Sequence, residues 1–260
     1  MPDWNATQYL RFADERTRPC RDLAGRIAAN PGSVIDLGCG PGNSTAVLAE
    51  RWPMAQITGL DTSAEMLAAA RRDYPAIRWI HGDISAWAEE DGPVVDLVFS
   101  NAALQWAPDH AALFPRLLGR ARVLAVQVPA ASNSPAQRLI REMAESPRWR
   151  PRFRGPVADW HVHDPGFYYD VLAPGAERVE AWQTEYLHVL DGPEAIVEWY
   201  RGTGLRPFLS ALAEEDREEF LAEYLEAIRP CYPRRVDGRV LFPFLRLFVV
   251  AYAGAARSSD

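Results

Sequence analysis

The chain has 260 residues, 48% of them hydrophobic, which is enough for one sizeable α/β domain with insertions and too apolar for a disordered chain. Its net charge of −7 repels polyanions, so neither nucleic acid nor an anionic membrane is an expected partner, and an anionic substrate needs a local basic pocket. All 28 cationic residues are arginine, which excludes a Schiff-base lysine and a P-loop lysine together.

Residues 5–29 read as an amphipathic helical lead-in, with Tyr9, Leu10, Phe12, Leu23 and Ile27 apolar among arginines and acids. Strands are then expected at 33–37, 56–61, 77–81, 94–100 and 121–128, and helices at 44–51, 63–73 and 109–119, with a weaker helical turn near 85–90. Asp109 is placed to cap the third of these helices. Strands and helices alternating at this spacing imply a parallel sheet with right-handed crossovers. Beyond residue 129 the rhythm stops. Prolines, tryptophans and arginines crowd 130–177, and 192–238 is mainly helical, clearest over Glu194–Tyr200 and Glu214–Arg229. Segments 178–189 and 240–253 alternate or run apolar as the last two strands. The expected fold is α/β: a doubly wound, mostly parallel, seven-stranded Rossmann-like sheet with a mainly helical lid. Residues 1–129 with about 178–190 and 239–254 would form the ligand-binding domain, and about 130–177 and 191–238 the lid and substrate-binding insertions.

Cys20, Cys39 and Cys231 are odd in number and unpatterned, so neither a disulfide framework nor a zinc site is expected. A reducing cytoplasm is the natural compartment. Met1-Pro2-Asp3-Trp4-Asn5 does not open a secretory leader, and no uncharged run reaches the ~18 residues of a membrane span.

The chemistry is concentrated in Val34-Ile35-Asp36-Leu37-Gly38-Cys39-Gly40-Pro41-Gly42-Asn43-Ser44-Thr45, where a buried strand meets a helix through a turn almost bare of side chains. Glycines at 38, 40 and 42 let the backbone take positive φ and approach a ligand, while Asn43, Ser44 and Thr45 are placed to cap the helix. A dinucleotide site asks for G-x-G-x-x-G, and here Asn43 stands where the third glycine would fall. Three acids close strands: Asp36, Asp61 and Asp83. Asp36 beside the cradle repels a pyrophosphate and attracts a sulfonium and an ammonium, by about a few kcal/mol at intermediate dielectric. S-adenosylmethionine is the ligand that fits. Asp61 would take the ribose hydroxyls, Asp83 the adenine amino group, the Ile84 N–H a ring nitrogen, and Asp36 with Gly38, Gly40 and Asn43 the aminocarboxypropyl arm. Thr62 and Asn101 at strand ends and Met66 in the helix that follows Thr62 complete the expected cofactor contacts.

The motif Asp-Leu-Gly-Cys-Gly-Pro-Gly-Asn-Ser-Thr resembles that of the class I S-adenosylmethionine-dependent methyltransferases. Likeness extends through Asp3-Trp4-Asn5, Glu15-Arg16, Arg18-Pro19, Leu104-Gln105-Trp106 with Pro108-Asp109-His110, Tyr168-Tyr169-Asp170, Thr203-Gly204-Leu205-Arg206-Pro207 and Leu247-Phe248-Val249-Val250-Ala251 to those members that esterify small polycarboxylic acids. The resemblance implies methyl transfer to a carboxylate of a small di- or tricarboxylate, trans-aconitate first among them. A carboxylate is already ionised at pH 7, so no general base and no catalytic residue beyond positioning groups is required. A malonyl thioester on a carrier protein is the alternative acceptor, and a non-catalytic S-adenosylmethionine sensor the alternative of another class.

Arginine suits the substrate's other carboxylates because its planar fork binds them bidentately. Arg206 in its turn and Arg246 within Phe242–Phe248 are the candidates, weighed against internal salt bridges. Tyr168 and Tyr169 could donate phenolic hydrogen bonds, Trp106 could wall the methyl-transfer chamber, and His161 could add positive charge. Arg18 could reach the cofactor carboxylate or the substrate, and Tyr9, with Trp4 and Phe12 as companions, could close over the cofactor. His161 and His163 lack a third partner for a metal. Arg148-Trp149-Arg150-Pro151-Arg152-Phe153-Arg154 reads either as a lid loop that attracts an acid or as a short nucleic-acid contact. The state expected is a monomer or weak dimer.

Overall fold

The computed structural model describes residues 13–155, 157 and 160–254. It contains a seven-stranded sheet in the order β3-β2-β1-β4-β5-β7-β6. The strands are β1 (Ser33–Leu37), β2 (Gln56–Asp61), β3 (Arg78–His81), β4 (Val95–Asn101), β5 (Ala121–Pro129), β6 (Ala176–Leu190) and β7 (Val240–Ala253). β1 to β5 pair in parallel and β7 runs antiparallel to β5, with Gln127 opposite Phe248 and Pro129 opposite Arg246. Helices cover both faces of a parallel sheet, so its strands are nearly continuous apolar runs. Leu37, Leu97, Val98, Phe99, Leu124 and Val250 are fully buried.

Strand order reverses between β1 and β4, which opens a crevice at the carboxyl ends of those strands. Helices start around it with capping groups drawn from the strand ends. Ser63 Oγ accepts the Met66 N–H and starts Ala64–Asp73; Asp83 accepts Ser85 and Ala86 N–H and starts Ile84–Glu89. Asp109 caps His110–Gly119, as the sequence predicts, and takes a φ of 51° to do so. Of the amphipathic lead-in, Ala13–Arg26 is helical, burying Cys20, Leu23 and Ala24, with Ile27 just beyond.

The chain divides into two compact units. One holds the described residues through Pro129, then His161–Thr184 and the chain from Arg246; the other holds Ala130–Trp160 and Glu185–Leu245. The break falls at Trp160 rather than near 177, because Pro165–Leu172 is a helix packed on His110–Gly119 within the sheet-bearing unit. In the second unit, Pro135–Glu145, Pro193–Arg201, Arg206–Ala211 and Glu214–Ile228 are helical. Its core is aromatic: Trp149, Trp199, Tyr200, Phe220, Tyr224 and Phe242 are all 2% exposed or less. Among the described residues no helix is long and apolar enough to cross a membrane.

Candidate functional site

Gly38, Gly40 and Gly42 have φ of 73°, 54° and 96°, and the three serve different ends. A Cβ on Gly38 would lie 2.1 Å from the Ala103 Cβ, and one on Gly42 2.8 Å from Tyr74 and 2.9 Å from Trp79, so both glycines are pressed against protein. A Cβ on Gly40 would meet nothing within 4 Å. Close approach of a ligand is thus possible at Gly40, and the equal treatment of the three in the sequence reading is corrected. The N-cap of Asn43–Arg51 is Gly42, without a side-chain bond. Ser44 and Thr45 do not cap; each hydroxyl donates to Asp36 Oδ2 at 2.6 Å. Cys39 packs with Leu67, Ala70 and Trp79, and burial pushes its thiol far above the usual range, so it is a small filler and not a nucleophile.

Asp36 is fully buried at the end of β1. Its Oδ1 has no partner among the described residues, and burial, opposed by the two hydroxyls and reinforced by Asp61, raises its pKa to about 6. The sign of the linkage follows. With the folded value raised above the ordinary 3.8, the stability gained from the protonated form is complete below about pH 4 and lost as pH climbs through about 6. The protein without ligand therefore gives up stability at neutral pH to keep this carboxylate charged. Asp36→Asn keeps the hydroxyl bonds and removes the charge. We expect denaturant titrations of this variant to show greater stability than wild type at pH 7.5 and equal stability near pH 4, while its S-adenosylmethionine affinity at pH 7.5 falls at least tenfold. Equal affinity would remove the electrostatic role given to Asp36.

Asp61 ties the site together. Its Oδ2 accepts the Gly40 N–H and its Oδ1 the Ser63 N–H, both at 2.8 Å, and burial raises its pKa. Thr62 beside it is exposed, with its carbonyl accepting from His81 Nε2 at 2.9 Å. Met66 is 2% exposed and thus a core side chain at the edge of this region. Asp83 is exposed and spends Oδ1 on its cap, leaving Oδ2 for a ligand donor. Ile84 is half-buried, and its Cδ1 lies 3.6 Å from where a Gly38 Cβ would stand.

A pocket opens at this edge, lined by Arg16, Thr17, Cys20, Gly38, Cys39, Pro41, Asn43, Ser44 and Asn101. Arg16, 7% exposed, stands there, whereas Arg18 is exposed and is not among the lining residues. The signal was present in the sequence: Arg16 lies four residues before Cys20 on the stripe that continues through Leu23, Ala24 and Ile27. Tyr9, Trp4 and Phe12 lie outside the described residues. Asn101 is 9% exposed with an unpartnered Oδ1, and Ala102 after it takes a φ of 57°, a strained left-handed residue that turns the chain away from β4.

Farther along the same edge the polarity reverses. Arg246 is 3% exposed, and its Nη1 donates to Gln127 Oε1 at 3.2 Å. Trp106 is half-buried in the short turn Leu104–Trp106, and His161 is exposed with its N–H donating to the Gln105 carbonyl. Tyr168 is corrected. It is fully buried, its hydroxyl lies 2.9 Å from His110 Nδ1, and it accepts the His163 N–H. His110 Nε2 faces the Leu104 carbonyl at 2.9 Å and must carry the proton there, so Nδ1 accepts from Tyr168. Burial lowers the His110 pKa and raises that of Tyr168 to about 12. Tyr168 therefore braces the turn that carries Trp106, and Tyr169, 54% exposed, is the one whose phenol stays open. His163 stacks on Phe167 at 3.9 Å.

In the second unit Arg206 is half-buried as the first residue of its helix, with its N–H donating to the Thr203 carbonyl. Two of the four arginines of the 148–154 cluster are paired with acids of one helix. Arg148 pairs with Glu219 and Glu223, and Arg152 with Asp216 at 3.0 Å and Glu219 at 2.7 Å, all on Glu214–Ile228. Trp149 is fully buried and donates to Glu223. Two of the segment's four cations and its indole are thus committed to Glu214–Ile228.

A family model described as a methyltransferase domain matches residues 34–126. The trans-aconitate 2-methyltransferase of Azoarcus sp. strain BH72 is 52% identical to this chain over 255 residues, covering 96% of this chain and 99% of its own. Among solved structures, the YcgJ protein of Bacillus subtilis is similar at a TM-score of 0.59 and 13% identity, over 92% of this chain and 100% of that one. Phosphoethanolamine N-methyltransferase 2 of Haemonchus contortus, solved with phosphomonomethylethanolamine and S-adenosylhomocysteine, gives a TM-score of 0.54 at 15% identity, over 91% of this chain and 53% of that one.

Proposed function

The chain belongs to the trans-aconitate 2-methyltransferase family of S-adenosylmethionine-dependent methyltransferases, and from that premise we propose that it esterifies one carboxylate of trans-aconitate at the edge of its parallel sheet. The near full-length 52% identity to a protein of that name carries the reading. The residues at the strand ends fit the cofactor: buried acceptors at Asp36 Oδ1 and Asn101 Oδ1, with open space above Gly40, suit a cationic amino-acid arm. Asp61 would hold the ribose and Asp83 the adenine, with Ile84, Thr62 and Met66 framing the ring. Arg16 would meet the cofactor carboxylate from its helix. When bound, S-adenosylmethionine supplies an electrophilic methyl carbon on a sulfonium.

The chain's own work is then binding, alignment and exclusion of water. The acceptor arrives ionised, so no residue has to move a proton. Arg246 and Arg206 would hold carboxylates that do not react, Tyr169 and His161 would add donors or charge, and Trp106 would wall the reacting groups. The segments of about 130–177 and 191–238 would be the substrate-binding insertions. The three cysteines are free thiols, in keeping with a reducing cytoplasm, and the net charge of −7 speaks for a small-molecule partner rather than nucleic acid. A monomer or weak dimer suffices for this chemistry.

Incubation of the protein with S-adenosylmethionine and a panel of small acids, read by mass spectrometry, is expected to give the monomethyl ester of trans-aconitate. Ester formation only on a malonyl thioester, or none at all, would overturn the reading. Arg206→Ala is expected to raise KM for trans-aconitate roughly tenfold, the low end for a charged hydrogen bond at a half-exposed side chain, and to leave cofactor affinity within twofold. Loss of both affinities together would count against the role given to Arg206.

A further inference from the structure

Gln127 stands out as a fully buried amide near the carboxyl end of β5, between Asn101 of β4, with which it is in register, and Arg246 of β7. A guanidinium has only donors, so its 3.2 Å contact fixes the amide orientation: Oε1 faces Arg246 and Nε2 faces the other way. Nε2 has no partner among the described residues. The unpartnered Oδ1 of Asn101 sits one strand away, yet the two amides do not bond each other. Val126 and Val128 point to the opposite face of β5, and an apolar residue at 127 would avoid leaving a donor dry. A buried donor kept next to a buried guanidinium asks for an acceptor that both can share, and a carboxylate has two such oxygens.

We propose that Gln127 is a substrate-binding and specificity-determining residue: its Nε2–H donates to a carboxylate of the acid acceptor, while its Oε1 holds the Arg246 guanidinium in line for the same group. The edge of the sheet is thereby divided, with acceptors at Asp36 and Asn101 for the cationic donor of the methyl group and donors at Gln127 and Arg246 for its anionic acceptor. The inference rests on the methylation of a polycarboxylate proposed above.

The test compares Gln127→Glu with Gln127→Met in the full-length protein. Glutamate keeps the size and the acceptor for Arg246 but replaces the N–H with a second negative oxygen; methionine removes both polar ends at similar length. Expected for Gln127→Glu is a KM for trans-aconitate raised at least 30-fold, a kcat changed less than KM, and a calorimetric Kd for S-adenosylmethionine within threefold of wild type. Gln127→Met should raise KM less than Gln127→Glu. A merely structural glutamine predicts the reverse order, with Glu tolerated through its bond to Arg246 and Met damaging cofactor binding and melting temperature as well. That order, or a KM for Gln127→Glu within threefold of wild type, overturns the inference. Wild-type protein that esterifies no acid of the panel overturns the proposed function and this inference with it, whereas active wild type with an indifferent Gln127→Glu overturns this inference alone.

Discussion

Replacing Asp61 with alanine is expected to abolish measurable S-adenosylmethionine binding. Two losses combine. The carboxylate is the acceptor for the backbone N–H of Gly40, the loop position that fronts open space, and for the N–H of Ser63, which caps the next helix. Alanine frees both, so the loop is no longer pinned to β2. The acceptor proposed for the ribose hydroxyls is lost as well. Two charge-assisted hydrogen bonds at about 1.5–3 kcal/mol each amount to roughly 150- to 25,000-fold in affinity. Calorimetry on Asp61→Ala and Asp61→Asn separates the contributions. Asparagine retains one acceptor for Gly40 and removes the buried charge, so it should bind more tightly than alanine and melt no lower than wild type. An alanine variant binding within tenfold of wild type would refute the assignment of the ribose to Asp61.

The parallel core was legible because each of its elements carries its own local signal. β1, β2 and β4 are apolar runs closed by polar residues, and the helices between them open on Ser63, Asp83 and Asp109, side chains that accept the first free N–H groups. The helices Pro135–Glu145 and Pro165–Leu172 were not anticipated, and Arg206 was expected in a turn of the mainly helical 192–238 segment rather than at the start of Arg206–Ala211; the cause is common to all three. Each has proline in its first turn, where the missing N–H costs nothing and the fixed φ favours the helix. Proline-rich segments therefore read as breaks. Ser134-Pro135 and Asp164-Pro165, a capping side chain followed at once by proline, were the available start signals, and both caps form.

The site was legible in part. Strand-end acids and the glycine loop follow from spacing along one stretch of chain, but which oxygen of an acid is already spent depends on neighbours distant in sequence or in the fold. Ser44 and Thr45 are next to the loop and still bond Asp36 rather than cap, because Gly42 in the left-handed region turns their side chains toward the end of β1. Tyr168 looked open and proved closed, since its partner His110 is 58 residues away. Gln127 looked like one more residue of a buried strand, and only the antiparallel pairing of β5 with β7 brings Arg246 to it.

Arg246→Met is expected to lower kcat/KM for trans-aconitate about 30- to 5,000-fold, the range for about 2–5 kcal/mol lost when one side of a desolvated, hydrogen-bonded charge contact is truncated. The effect exceeds that at Arg206 because Arg246 is 3% exposed, so water cannot replace the missing donor, and because Gln127 Oε1 is left without its guanidinium. Cofactor affinity should stay within threefold, since the acids that receive the cationic donor lie on β1, β2 and after β3. Stability discriminates between the two accounts of a buried arginine. Methionine fills similar volume without a charge to desolvate but leaves Gln127 Oε1 dry, so if the guanidinium is kept for a substrate carboxylate the two effects offset and the unliganded variant should melt close to the wild-type temperature. If the guanidinium is kept for an internal partner, the melting temperature should fall steeply and the surviving folded enzyme should retain its KM. Arg246→Lys sharpens the comparison: a compact ammonium keeps the charge but not the fork, so it should fall between wild type and methionine in kcat/KM. A lysine variant as active as wild type would mean that charge alone, without paired geometry, holds the acid.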